Sequence, residues 1–254
     1  VDEDTAALVV QSPNFLGGIE DLTGVAEKVH AKGALLIVVV DPISLGLLRP
    51  PGDFGADVVV ADGQALGIAP SFGGPSLGIF ATRRSHIRRL VGRLVGETEA
   101  AAGNRGYVLT LATREQHIRR AKATSNICTN SALGALAAGV YLATVGEAGL
   151  RRIAELCLHK SHYAAERLGE IAGCAVNRHA PVGEFFKEFV LSLPIEAATV
   201  LKRLQDAHGI VGGYDLACVD PDRRNEMLVA VTEMSTREDI DCFVDAVRSV
   251  VAKH

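Results

Sequence analysis

Ala34 to Val40 reads Ala-Leu-Leu-Ile-Val-Val-Val, seven apolar residues with four of them β-branched and no polar residue between them. A strand with one wet face would alternate; an unbroken apolar run of this length suits a strand covered on both faces of a parallel sheet. The residues before it agree. From Glu20, the apolar positions Leu22, Val25, Ala26 and Val29 recur at helical spacing and stop at Gly33, predicting an amphipathic helix. A short apolar run, Ala6 to Val10, closes on Ser12-Pro13-Asn14 and reads as a further buried strand. Asp57 to Ala61 and Leu77 to Thr82 are two more strand candidates, the first of them buried. Strand, helix and strand at this spacing imply right-handed βαβ crossovers and an α/β fold, with binding sites outside the carboxyl ends of the strands. Asp41 stands at one such end.

The second half has a different texture. The apolar stretch Ala132 to Ala143 predicts a core helix ending near Gly146 or Gly149, too short to span a bilayer. From Leu150, helices alternate with short strands: a helix over 150–172 carrying Ile153, Ala154, Cys157 and Leu158, then strand candidates at 174–177, 189–193 and 227–231. Ala197 to His208 forms another helix. The last helix opens at Ser235-Thr236-Arg237-Glu238, read as a capping box of Ser235 and Glu238. The expected division is a partial large domain over 1–148 and a smaller α+β domain over 149–254.

Charge and cysteine content narrow the classes of function. With 26 Lys and Arg against 30 Asp and Glu in 254 residues, the chain has no basic surface for neutralising nucleic-acid phosphates. Five scattered cysteines without a C-x-x-C pair read as buried reduced thiols of a cytoplasmic protein. His159 and His162 share a helix face but have no third ligand, so no metal is expected. The chain begins at Val1, in what reads as mid-domain, which suggests a fragment or a processed chain. Lysine is sparse: there are seven, and none between Lys32 and Lys122.

Three features could carry chemistry. The stretch Gly63 to Gly78 lacks the lysine of a phosphate-cradling loop and reads as a tight connection between strands. Thr124-Ser125-Asn126 precedes the apolar helix, either as its N-cap or as a phosphate seat with Arg120 and Lys122 nearby. Asp41, followed by Pro42, is a strand-end turn former, a catalytic acid or a partner for a ligand cation.

The run Thr113-Arg114-Glu115-Gln116-His117-Ile118-Arg119-Arg120-Ala121-Lys122-Ala123-Thr124-Ser125-Asn126-Ile127-Cys128-Thr129-Asn130 resembles a hallmark of the P-protein family of the glycine cleavage system. Val10 to Gly17 and Ser71-Phe72-Gly73-Gly74-Pro75 match the same family in order, and within it the first subunit of its two-subunit form. The resemblance implies a fold-type I, pyridoxal-phosphate transferase-like large domain, here partial. It implies participation in the decarboxylation of glycine and transfer of its aminomethyl group to the lipoyl arm of H-protein. In such enzymes a lysine forms a Schiff base with pyridoxal phosphate and an acid faces its ring nitrogen. Asp41 stands where the acid is expected, whereas Gln64-Ala65-Leu66 stands where the lysine is.

On this resemblance the chain carries no catalytic residue of its own and is inactive alone. Pyridoxal phosphate is held by the partner, glycine dehydrogenase subunit 2, in a heterodimer. Thr124, Ser125 and Asn126 reach that partner's cofactor phosphate, and Asp41 and Gln64 remain as cofactor-site residues of a degenerate pocket. A whole first subunit would carry about 100–200 further residues before Val1, so the chain alone is expected to associate through exposed apolar edges. The rival readings are an autonomous enzyme that gained a new activity on the same fold, and a non-enzymatic binding module.

Overall fold

The computed structural model describes residues 1–90, 92–123, 131–178 and 184–252. Its first sheet holds β1 (Ala7–Gln11), β2 (Leu35–Val40), β3 (Val58–Asp62) and β4 (Gly78–Thr82), in that order. β1, β2 and β3 run parallel, Val10 opposite Val38 and Val38 opposite Val59. Helix α1 (Val25–His30) lies across β2. Leu22, Ala26 and Val29 meet Leu36, Val38 and Val40 in one buried cluster, which is why the helical spacing of the former and the unbroken run of the latter coexist. β3 is only half-buried along its first four residues, short of the full burial expected. β4 returns antiparallel to β3. A parallel return needs a crossover long enough to hold a helix; residues 63–77 are too rich in Gly and Pro to supply one, so the chain doubles back.

β5 (Leu94–Glu99) and β6 (Arg105–Thr110) form a separate antiparallel hairpin, followed by the short helix α2 (Gln116–Arg119). Helix α3 (Ala132–Gly169) then runs 38 residues, interrupted at Gly146, whose backbone (φ 62°, ψ −175°) is non-helical. The expected end near Gly146 is thus a break between two helical halves. The second half buries Ala154, Cys157, Ala164, Ala165 and Leu168.

The first half departs from expectation: it is not a core helix. Ala138 is buried, but Leu133, Leu136 and Val140 are 79%, 64% and 58% exposed. By length and composition α3 is apolar enough to cross a membrane, and almost none of its apolar window is covered by these 254 residues.

The second sheet has the order β7 (Ala175–Val176), β8 (Glu188–Ser192), β10 (Glu226–Ala230), β9 (Tyr214–Asp215), antiparallel throughout. The second half of α3, α4 (Ala197–His208) and α5 (Arg237–Val251) pack against it around Leu168, Phe189, Leu191, Leu204, Met227 and Val247. The capping box of α5 is one residue later than expected. The Thr236 hydroxyl accepts from the Asp239 amide at 3.1 Å, and the Thr236 amide donates to the Asp239 carboxylate at 3.0 Å. Ser235 and Glu238 fit the same spacing, but the backbone becomes helical only at Arg237. The cysteines among the described residues also divide, Cys128 lying outside them: Cys157 is buried and Cys174 half-buried, while Cys218, in a turn, and Cys242, on α5, are exposed.

Candidate functional site

The parallel strands aim their carboxyl ends at the second sheet, and the loop after β1 carries the contact. Gly17 accepts from the Phe186 amide through its carbonyl, and Ile19 donates to the Glu184 carbonyl at 2.9 Å. Gly17 has φ +91°, and a Cβ there would lie 1.8 Å from the Glu188 carbonyl oxygen, so only glycine allows this approach. Asn14 holds the loop: its side-chain oxygen accepts from the Leu16 and Gly18 amides at 2.9 and 3.0 Å. His162 of α3 stacks on Phe185 with ring centroids 4.0 Å apart, bracing from behind the segment that this loop meets.

Between these walls lies a cleft of about 840 Å³, floored by Gln11, Asp41, Asp62 and Gln64 and roofed by Lys187, Glu188, Leu228 and Ala230. It sits where an open parallel sheet places its ligands. Asp41 takes the turn-former's role and gains a partner from the chain itself. One carboxylate oxygen accepts from the Ile43 amide at 2.9 Å, a turn-former's bond; the other is ion-paired with the Lys187 ammonium. Glu188 stands 3.8 Å from the same ammonium. Burial alone would lower the Lys187 pKa, but the Asp41 charge and hydrogen bond, with Glu188, raise it. Glu188 is pushed up by burial, which outweighs the attraction of Lys187. Lys187 therefore remains an ammonium at neutral pH.

Gln64 lines the same cleft, its amide donating to the Ile68 carbonyl inside the glycine-rich loop. That loop is the tight connection read from the sequence. Gly67 has φ +82°, and a Cβ there would meet the Tyr141 side chain of α3 at 2.9 Å. Asp62 accepts from the Gln64 amide at 2.8 Å and from the Ser76 hydroxyl at 2.6 Å. Thr124, Ser125 and Asn126 lie outside the described residues. Lys187 and Glu188 escaped the sequence reading because the partner of Asp41 is 146 positions away along the chain, with no local signature. The only hint was that Lys187 is one of seven lysines. Among the described residues no group of His, Cys, Asp and Glu could hold a metal ion.

The family model of the glycine cleavage system P-protein matches residues 1–247. The chain belongs to that family. It is 54% identical over 252 residues to the probable glycine dehydrogenase (decarboxylating) subunit 1 of Thermomicrobium roseum, covering 99% of this chain and 55% of that protein. The subunit 1 proteins of Chlorobium limicola and Moorella thermoacetica are 48% and 49% identical, each covering 98% of this chain and 55% of the relative. The chain thus spans about half the length of these curated relatives. A crystal structure of a glycine decarboxylase P-protein in inhibitor-bound form superposes with a TM-score of 0.91 at 45% identity, over 98% of this chain and 56% of that one. An alanine–glyoxylate aminotransferase from Nostoc sp. (TM-score 0.62, 20% identity) covers 96% of this chain and 61% of its own. The Escherichia coli cysteine desulfurase CsdA (TM-score 0.69, 15% identity) covers 100% and 61%. These two show the shared fold, that of fold-type I enzymes.

The cleft does not fit pyridoxal phosphate. Asp41 has the right chemistry for a ring nitrogen, but both its oxygens are engaged. Gln64 cannot form a Schiff base, and the sequence has no lysine between Lys32 and Lys122. The lining sets three carboxylates, Asp41, Asp62 and Glu188, against the single ammonium of Lys187, so a phosphate dianion would meet net negative charge.

Proposed function

We propose that this chain is part of the subunit of a two-subunit glycine decarboxylase that lacks the Schiff-base lysine, a supporting partner that completes the site of a second subunit. The observation that carries this reading is the glutamine at the exit of β3 in a chain that matches the family over residues 1–247. A family whose chemistry needs a Schiff-base lysine places that lysine elsewhere when this position holds Gln64. Glycine dehydrogenase subunit 2 then holds pyridoxal phosphate, which supplies the electron sink for loss of CO2, and lipoyl H-protein receives the aminomethyl group. Thr124, Ser125 and Asn126 contribute hydroxyl and amide groups to the partner's cofactor phosphate. The exposed Cys218 and Cys242 suit a reducing cytoplasm.

The first half of α3 supports a protein partner rather than a lipid one. A helix apolar on all sides belongs inside a larger body. The apolar segment before the Gly146 break, Ala132 to Val145, rises about 21 Å at 1.5 Å per residue, short of the ~30 Å hydrocarbon core. The β5–β6 hairpin also exposes Val95, Tyr107, Val108 and Leu109, a second apolar surface that a protein partner would cover.

The test is glycine–CO2 exchange with H-protein, measured for subunit 2 alone, for this chain alone and for the pair. Exchange by the pair and none by this chain is expected. Exchange by the lone chain would favour an autonomous enzyme, and failure to bind or stimulate subunit 2 would overturn the proposal. Replacing Thr124 and Asn126 by Ala in the pair is expected to weaken the partner's cofactor affinity; unchanged affinity would remove those residues from the site.

A further inference from the structure

Lys187 is held in place from three sides. Its backbone continues into β8; the neighbouring Phe186 amide donates to the Gly17 carbonyl of the loop after β1. The Lys187 carbonyl accepts from the Val231 amide at 2.9 Å. Its side chain and that of Asp41 are each 17% exposed, and its ammonium reaches the carboxylate from the opposite wall of the cleft. Asp41 is fixed as firmly: besides the Ile43 amide bond, its carbonyl accepts from the Ser44 hydroxyl at 2.7 Å, and Ser44 is fully buried. A cation is thus delivered by one sheet to an acid presented by the other, each from a backbone position fixed by hydrogen bonds.

We propose that Lys187 is the resident cation of this cleft, standing at Asp41 in the role that the protonated ring nitrogen of pyridoxal phosphate plays in a cofactor-bearing site, so that the chain's own cleft is self-filled and closed to that cofactor. The Asp41–Lys187 pair also serves as a clasp between the two sheets, holding them together without a bound ligand. The proposal draws on the functional reading above only for the identity of the excluded cofactor. Its test uses this chain alone, so a failure of partner activity and a failure of self-filling are separable.

The experiment is equilibrium dialysis of pyridoxal phosphate, and of pyridoxal as a phosphate-free control, against the wild-type 254-residue chain, Lys187→Met, and Lys187→Met with Asp41→Asn. The wild type is expected to bind pyridoxal phosphate with a dissociation constant above about 1 mM. Lys187→Met, which frees the acid, is expected to bind pyridoxal at least ~10-fold more tightly, and Asp41→Asn in the same chain is expected to erase the gain; the phosphate ester gains less, because the variant cleft keeps three carboxylates and no ammonium. Micromolar binding by the wild type, or equal binding by the single and double variants, would overturn the proposal. An unpaired, largely buried carboxylate could unfold the single variant, so a second measurement needs no substitution. The wild-type chain is treated with excess pyridoxal phosphate and borohydride, and its modified lysines are mapped. A Lys187 left unmodified while the exposed Lys202 is labelled is the expected result. Labelled Lys187 would show its amine free of Asp41 and refute the clasp.

Discussion

Replacing Leu136 by Asp separates folding from association in this chain. Leu136 is 64% exposed on the first half of α3, flanked on the same helix by Leu133 at 79% and Val140 at 58%. Full burial of a leucine stabilises by about 1.5–3 kcal/mol. Roughly two-thirds of that, about 1–2 kcal/mol, remains to be gained when a partner covers Leu136. An aspartate there forfeits this gain and puts an unpaired charge into an apolar contact, adding about 2 kcal/mol or more. The total exceeds about 3 kcal/mol, more than ~100-fold in the dissociation constant for subunit 2. The same substitution touches no core contact, so the urea midpoint of the isolated chain should correspond to a loss of less than ~0.7 kcal/mol, the helix-propensity cost. Ala138→Asp, two positions on, is the control: Ala138 is 4% exposed in the cluster with Leu66, Ala154 and Phe186, so that variant should lose most of its stability. Binding is measured by titration calorimetry or sedimentation, stability by urea unfolding followed by circular dichroism. If Leu136→Asp unfolds the chain as Ala138→Asp does, or binds subunit 2 as tightly as wild type, the apolar face is not a docking surface and the reasoning fails.

Gly17→Ala should destabilise by more than about 2 kcal/mol in urea, since its φ of +91° and the 1.8 Å approach of the Glu188 carbonyl leave no room for a methyl group; a smaller loss would mean the two sheets can part there without consequence. Asp57 is buried, and although burial raises its pKa, the Leu36 amide at 2.9 Å, the His30 ring at 2.7 Å and the Arg83 charge bring it below the ordinary 3.8. A depressed carboxylate contributes stability above the unfolded pKa and loses it as pH falls through the folded one. Asp57→Asn should therefore cost about 2–3 kcal/mol at pH 7 and flatten the acid limb of a stability-against-pH curve, and an unchanged acid limb would contradict this. Cys157, pushed up to about 12 by burial and by its thiol bond to the Glu233 carboxylate, should resist maleimide in the native state while Cys218 and Cys242 react. Early labelling of Cys157 by peptide mapping would place it in an accessible site.

What the sequence made legible were features whose cause is local. The apolar run of β2, the one-sided spacing of α1 and the span of α4 each record burial on a known period, and α4 occupies the expected Ala197–His208. Asp41 was legible because a strand's carboxyl end is a predictable place. What escaped depends on distant parts of the chain. Pairing of Asp41 with Lys187 needs the contact between sheets, which no window of residues encodes. The direction of β4 rests on the failure of 63–77 to form a helix, and the first half of α3 reads like a core helix because apolarity reports that something will cover it, not what. The capping box missed by one residue because Ser235 and Thr236 are chemically equivalent caps, and only backbone torsion chooses between them.

The break at Gly146 makes α3 two structural members rather than one beam. An unbroken 38-residue helix would be a rod of about 57 Å, along which a shift at one end is felt at the other. With the ladder interrupted, the first half is tied to the remainder by side-chain packing at Ala138 rather than by a continuous helical ladder. Substitutions on its exposed face, at Leu133, Leu136 and Val140, should therefore behave additively with substitutions after residue 146 and can drift in sequence to follow a binding surface, whereas Ala138 shares its core with Ala154 and Cys157 and should not.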